Sequence, residues 1–309
     1  MINLKSEAEG FYTLRLGTLD ADGNEVDCYE PVPTFLNLIT NGGLERMGDN
    51  ADWLSRTYVG SGSAAPNFND SAMNNFVAVT TASQASVAGS QSTAPYFTWR
   101  RLTRRFSAGQ AAGNLSEVGM GWASALFSRA LIVDAEGNPT TITVGAEQFL
   151  DVTYEFRFYP KTTDDTGSFT LTGSIGGTYD YALRSSNVTS TSGTQGWGVS
   201  SNGTDMGLIP FNSAVRKVFD GAIGSITESP SGTTLLADSL AVSAYEANSL
   251  TRKVTMGFGL GAGNFGTGIK SAFFKVGIGA FQVEFTPAIM KTDERLLNLE
   301  FSHSWGRRA

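Results

Sequence analysis

The chain has 309 residues, a net charge of −7, one Cys, one His, 36 Gly and 20 Phe, and charged residues make up 17% of it, against a usual roughly 25%. Cys28 alone excludes an intrachain disulfide, and Cys28 with His303 falls short of the three or four Cys/His ligands of a usual zinc site. The negative balance supplies no global positive field for nucleic acid or an anionic membrane surface, and a Ser-His-Asp or Cys-His mechanism has only His303 to draw on.

Residues 1–9 carry neither a basic nor an apolar targeting region, and no run approaches the roughly 18 apolar residues of a membrane span. The expectation is synthesis in the cytosol with no membrane span. The abundance of Gly, Ser, Thr and Phe suits an all-β chain with many turns.

The first hairpin is legible in two alternating runs, 11–17 and 25–29, joined by Asp20-Ala21-Asp22-Gly23-Asn24. Asp-Gly marks a tight turn because Gly accepts the positive φ it requires. An EF-hand reading of Asp20 to Gly23 fails for want of a further early ligand and of a closing Glu. A second copy of the turn stands at Asp134-Ala135-Glu136-Gly137-Asn138-Pro139, between strand-like 128–133 and 140–144.

Between these hairpins the spacing of Phe35, Leu36, Leu38 and Ile39 predicts a short helix near 34–47, entered at Thr34 after Pro33 and broken by Asn41-Gly42-Gly43. Residues 57–66 read as a strand entering a Gly/Ser connector; Gly60-Ser61-Gly62 lacks the Gly-Lys-Ser/Thr ending of a phosphate loop. Residues 96–106 are aromatic and hold Arg100, Arg101, Arg104 and Arg105 on a predicted strand, where alternate side chains face opposite sides. Residues 148–160 place Val152, Tyr154, Phe156 and Phe158 on one face and Thr153, Glu155 and Arg157 on the other, as in a half-buried antiparallel strand.

Residues 161–250 are rich in Ser and Thr and sparse in charge, and read as an inserted or peripheral β module with a short helix within 211–222. Strand patterns resume at 254–260, 273–279, 281–285 and 296–305. Gly261-Ala262-Gly263-Asn264-Phe265-Gly266 matches a dinucleotide fingerprint, but the following residues lack a helix to hold a pyrophosphate, so a Gly-rich hairpin is expected. Asp151 with Glu155, Asp164 with Asp165, and Asp293 with Glu294 are sequence neighbours that read as turns or solvated faces. The ending Ser302-His303-Ser304-Trp305-Gly306 is aromatic like that of an outer-membrane barrel, but no export signal accompanies it.

The resulting fold expectation is mainly β, an antiparallel β-sandwich or jelly-roll with one or two short helices. It is divided as 1–160 (core and attachment), 161–250 (peripheral module) and 251–309 (strands completing the core). No catalytic, cofactor or metal residues are assigned, with oxygen-only sites for divalent cations left open. The candidate interaction surface is Trp99, Arg100, Arg101, Arg104, Arg105, Trp122 and Trp197.

Several separated segments resemble one family. They are 35–44 (FLNLITNGGL), 59–66 (VGSGSAAP), 106–109 (FSAG) with 117–119 (EVG), and above all 126–133 (LFSRALIV) leading through 138–142 (NPTTI) to 150–155 (LDVTYE). The ending, 285–292 (FTPAIMKT) and 297–301 (LNLEF) with Trp305-Gly306-Arg307, is similar to the same group. These segments resemble tailed-bacteriophage virion structural proteins, the tail-fibre and minor tail structural proteins. The likeness covers most of 34–160 and the last thirty or so residues and leaves 161–250 unmatched.

The resemblance implies a non-enzymatic virion protein made in the host bacterial cytoplasm, most readily a fibre, tail-tip or adaptor subunit in assembly and host attachment. Its implied partners are identical subunits, with a trimer as the candidate symmetry, and other tail or virion proteins. The alternatives are a capsid-decorating or head-fibre protein, and a host-glycan-binding or depolymerase tail protein using Trp99, Trp122 or Trp197 beside carboxylates. A depolymerase with a long strand repeat is not favoured, because no fixed period is visible.

Overall fold

The computed structural model describes residues 2–49, 52–190, 195–197, 216–276 and 278–308. Twenty-two strands stand against one α-helix and one short 3-10 helix among the described residues, so the chain is a mainly β sandwich, as its composition indicates. No helix among the described residues is long and apolar enough to cross a membrane.

A nine-stranded sheet forms the frame. Its order is Ser239–Val242, Thr251–Phe258, Leu297–Arg307, Ile2–Leu19, Phe149–Pro160, Thr98–Phe106 and Ser83–Ser90, with Glu25–Tyr29 and Phe35–Leu36 also paired to the Ile2–Leu19 strand. Ile2–Leu19 runs parallel to Leu297–Arg307, with Ile2 opposite Phe301, and antiparallel to Phe149–Pro160, with Tyr12 opposite Tyr154. The first and last strands are thus central neighbours, and the alternation read in 148–160 holds: Val152, Tyr154, Phe156 and Phe158 are fully buried.

Beside a two-stranded pair, Gly113–Leu115 with Ile142–Val144, two larger sheets cover the same face of this frame. The five-stranded sheet (Leu38–Ile39, Ala125–Leu131, Glu117–Trp122, Arg56–Gly60, Phe76–Thr80) meets it where the rings of Phe127 and Phe156 surround Trp53, at centroid distances of 4.6 and 5.0 Å. The six-stranded sheet (Asp165–Leu171, Gly177–Ser185, Gly279–Ile289, Ile269–Val276, Arg216–Phe219, Thr234–Leu236) meets it at Phe274 and Phe301, 4.4 Å apart. A relay of rings, Trp53–Phe156–Phe158–Trp197–Phe281, joins the two halves into one core. Each such side chain, fully buried, contributes on the order of 1.5–3 kcal/mol.

Four elements differ from the sequence expectation. Residues 35–39 are two short strands, because Phe35–Leu36 pairs with Phe11 and Tyr12 and Leu38–Ile39 pairs with Ser128 and Arg129. The helix follows at Asn41–Asp49, and Asn41-Gly42-Gly43, expected to break it, forms its first turn. Thr40 caps that turn: its Oγ1 accepts from Gly43 N–H at 2.9 Å and its carbonyl accepts from Leu44 N–H. Tertiary pairing overrides the helical spacing of 35–39.

Within the described residues, 161–250 supplies four strands to the six-stranded sheet and one to the nine-stranded sheet, which it shares with strands of 251–309. Of the helix expected within 211–222, residues 211–215 lie outside the described residues and Arg216–Phe219 is a strand. The Gly261 to Gly266 segment carries the chain from the nine-stranded to the six-stranded sheet, so it is a crossover and not a hairpin.

Candidate interaction face

The face of the nine-stranded sheet turned away from the five- and six-stranded sheets is composed in rows. Across three adjacent strands the register aligns Trp99 with Arg157 and Glu9, Arg101 with Glu155 and Phe11, Thr103 with Thr153 and Thr13, and Arg105 with Asp151 and Arg15. Arg105 is bidentate to Asp151, at 2.7 Å from Nε and 2.6 Å from Nη2, and also reaches Glu25 at 2.6 Å; Arg15 bonds the same two carboxylates. Hydrogen bonding to Asp151 raises the Arg105 pKa, and the bond from Arg15, followed by that from Arg105, lowers that of Glu25. In the next charged row, Glu155 accepts from Arg101 and Arg157.

Aromatic rings interleave with these cations. Arg105 lies 3.8 Å from the Phe149 centroid, Arg101 lies 4.4 Å from that of Trp99, and Arg157 sits between Phe11 and Phe97 at 4.1 and 4.6 Å. Guanidinium groups stacked on rings and bonded to carboxylates are held rigid. The face is therefore preorganised, with its charges paired internally.

The seven residues selected from the sequence divide sharply. Trp99, Arg101 and Arg105 share this outer face. Arg100 and Arg104 point to the opposite side, as alternation requires, and are 4% and 8% exposed. Arg100 bonds Ser86 Oγ, while Arg104 donates to the carbonyls of Thr81 and Leu54 and has its pKa lowered by burial. Trp122 is half-buried at the end of a strand of the five-stranded sheet, with Arg46 over its ring at 5.2 Å. Trp197 is fully buried, its Nε1 donating to Ala280 O at 2.9 Å. Arg100, Arg104 and Trp197 are therefore corrected from surface to interior, and the three tryptophans line no common cleft.

The other sequence motifs also find their places. Asp20 and Asp134 close equivalent turns, each carboxylate accepting from backbone N–H groups two and four residues on, which is an Asx turn. Asp151 and Glu155 lie four residues apart on one strand, about 13 Å at the strand rise, too far for a paired-carboxylate glycosidase. Asp164 pairs with Arg184, and Asp165 with Lys161. Among the described residues, no three His, Cys, Asp or Glu side chains gather to hold a metal ion.

One highly connected charge was not singled out from the sequence. Glu117 is fully buried and accepts four bonds, from Arg129 Nε at 2.7 Å and from the N–H groups of Gly62, Asn74 and Asn75. Gly62 is required there, since a Cβ on it would lie 2.5 Å from the carboxylate. The connector that resembled a phosphate loop thus cradles an anion belonging to the protein itself. Its one available signal was a Glu opening the apolar run Val118-Gly119-Met120.

His303 is buried against Phe281 and Trp305, with Ser6 Oγ 3.1 Å from Nε2, and burial pushes its pKa down to about 4. Lys275 is also interior, donating to Gly196 O, and burial pushes its pKa down to about 8. Comparison with known proteins returns nothing: no family model fits the chain, and neither a curated protein nor a solved structure matches it.

Proposed function

We propose that the chain is a non-enzymatic structural protein of a tailed-bacteriophage particle, a tail-associated fibre, tail-tip or adaptor subunit working with identical copies and other tail proteins. The observation that supports it best is the use made of ionisable groups: Asp151 and Glu155 are each bonded by two arginines, Glu117 by Arg129 and three backbone N–H groups, and His303 is packed between sheets. Among the described residues no further sheet packs on the arginine- and aromatic-rich outer face, where Arg101 is exposed and Trp99, Arg105 and Arg157 are half-buried. Such a composition is enriched where proteins dock on proteins.

Antibody labelling of purified particles tests the reading. Label on the tail supports it, label on the capsid transfers the protein to the head-fibre alternative, and absence from the particle overturns both. The host-glycan alternative draws on the half-buried Trp99 with Arg101 stacked on it, a ring-and-cation pair suited to a sugar. Depletion of host polysaccharide by the purified protein would favour that alternative over pure structure.

A further inference from the structure

Among the described residues, the strand that ends the nine-stranded sheet, Ser83–Ser90, is paired on one side only, to Thr98–Phe106. Free strand edges are ordinarily blunted by charge, proline or shortness. This one has eight residues, Ser83-Gln84-Ala85-Ser86-Val87-Ala88-Gly89-Ser90, with no charge and no proline, and Val87 is 48% exposed. Its one irregularity is a bulge near Ser83 and Ala85.

Most other edges among the described residues are guarded or brief. Ser239–Val242 and Thr234–Leu236 have four and three residues. Asp165–Leu171 opens on a charged residue, and on Phe76–Thr80 the Val79 carbonyl is already taken by Gln110.

The bond from Gln91 N–H to Phe97 O sets the phase of the ladder. By antiparallel alternation, Gly89 and Val87 face Thr98–Phe106, and the N–H and C=O groups of Ser86, Ala88 and Ser90 point outward. Among the described residues those outward backbone groups have no partner; at the end of the strand, Ser90 Oγ bonds Thr189 O.

We propose that this edge pairs with the same edge of a second copy of the chain, antiparallel about a two-fold axis at Ala88. Ala88 then faces Ala88 of the second copy, Ser86 faces its Ser90, and the two sheets become continuous through about six backbone hydrogen bonds. Three features favour a second copy as the occupant. An uncharged strand meets its own copy without like-charge repulsion. Val87 falls opposite Gly89 of the other chain, which offers no side chain to clash with. Finally, Trp99 covers that glycine so closely that a Cβ would lie 2.6 Å from its ring, leaving the indole to receive Val87.

This deepens the assembly reading and rests on it, and its test is separate. Light scattering of the purified full chain at micromolar concentration should give an even-numbered oligomer. Ala88→Cys in a Cys28→Ser background should cross-link to a dimer on mild oxidation, because directly opposed residues of such a pair stand about 5.5 Å apart. Ala88→Pro, which removes an outward N–H and no internal bond, should dissociate the oligomer without altering circular dichroism. A monomeric wild type, a folded Ala88→Pro protein that remains oligomeric, or no cross-link overturns the proposal; if Ala88→Pro does not fold, the cross-link decides. A monomer found in particles defeats this inference and leaves the virion assignment standing, whereas a cross-linked dimer absent from particles defeats only the virion reading.

Discussion

Glu117 and Arg129 form an ion pair with a 2.7 Å contact in which neither side chain has appreciable access to water, 0% and 2% exposed respectively. Arg129 also bonds Asp70 and Ala64 O, so the pair fastens both ends of the 61–75 connector to the five-stranded sheet. Glu117→Ala leaves the buried Arg129 Nε and three backbone N–H groups without their acceptor. It should cost about 3–5 kcal/mol, read from urea denaturation. The double variant Glu117→Leu with Arg129→Met should recover part of that loss. Recovery stays incomplete because Gly62, Asn74 and Asn75 still lack an acceptor, and hydrogen exchange at those three amides should rise in both variants. Full recovery by the double variant would show that the arginine pairing alone matters.

His303 makes the stability fall in mild acid. Its pKa in the folded chain is about 4 against an ordinary 6.5, so between those values the unfolded chain binds a proton that the folded chain refuses. Stability contributed by this group is present above about pH 6.5 and is lost as the pH falls toward 4, by roughly 3 kcal/mol at 1.36 kcal/mol per unit. Urea midpoints at pH 7 and pH 4.5 should differ more for the wild type than for His303→Gln, which keeps a polar partner for Ser6. Equal differences in the two proteins would place the acid sensitivity elsewhere.

The fold was legible where local chemistry decides it. The Asp20 and Asp134 turns and the alternation of Val152, Tyr154, Phe156 and Phe158 follow from residue type and spacing alone. Residues 35–39 were misread because four apolar residues at helical spacing also fit two short strands bridging two sheets, and only long-range pairing selects between these. The arginine run was half legible. Alternation separates Arg100 and Arg104 from Arg101 and Arg105, but which set faces water depends on the sheet packed behind them. Glu117 was illegible as a clamp because its amide partners come from residues some forty to fifty-five positions away in the sequence.

Arg101 and Arg105 are neighbours on one face with different energetic roles. Arg105 is largely covered, contacts two carboxylates and stacks on Phe149; Arg101 is 48% exposed and pairs with Glu155 alone. Arg105→Ala should destabilise by about 2–3 kcal/mol, since Asp151 is almost inaccessible to water and loses its bidentate partner. Arg101→Ala should cost at most about 0.5–1 kcal/mol, and less in high salt. Thermal unfolding at low and high ionic strength separates them. An Arg101→Ala loss equal to that of Arg105→Ala would mean that the outer row is one cooperative network.

Lys275 should act in the opposite sense to a surface lysine. With its pKa lowered to about 8 from an ordinary 10.5, the unfolded chain holds more protons than the folded one between those values. Stability therefore rises as the pH climbs from 8 toward 10.5, by up to roughly 3 kcal/mol for this group. Replacing it with a methionine of similar length removes the cost of burying the ammonium, so Lys275→Met should be more stable than the wild type at pH 7 and should lack the alkaline rise. The comparison needs only denaturation midpoints at pH 7 and pH 9.5. A destabilised Lys275→Met protein would show that the bond to Gly196 O outweighs the desolvation of the charge.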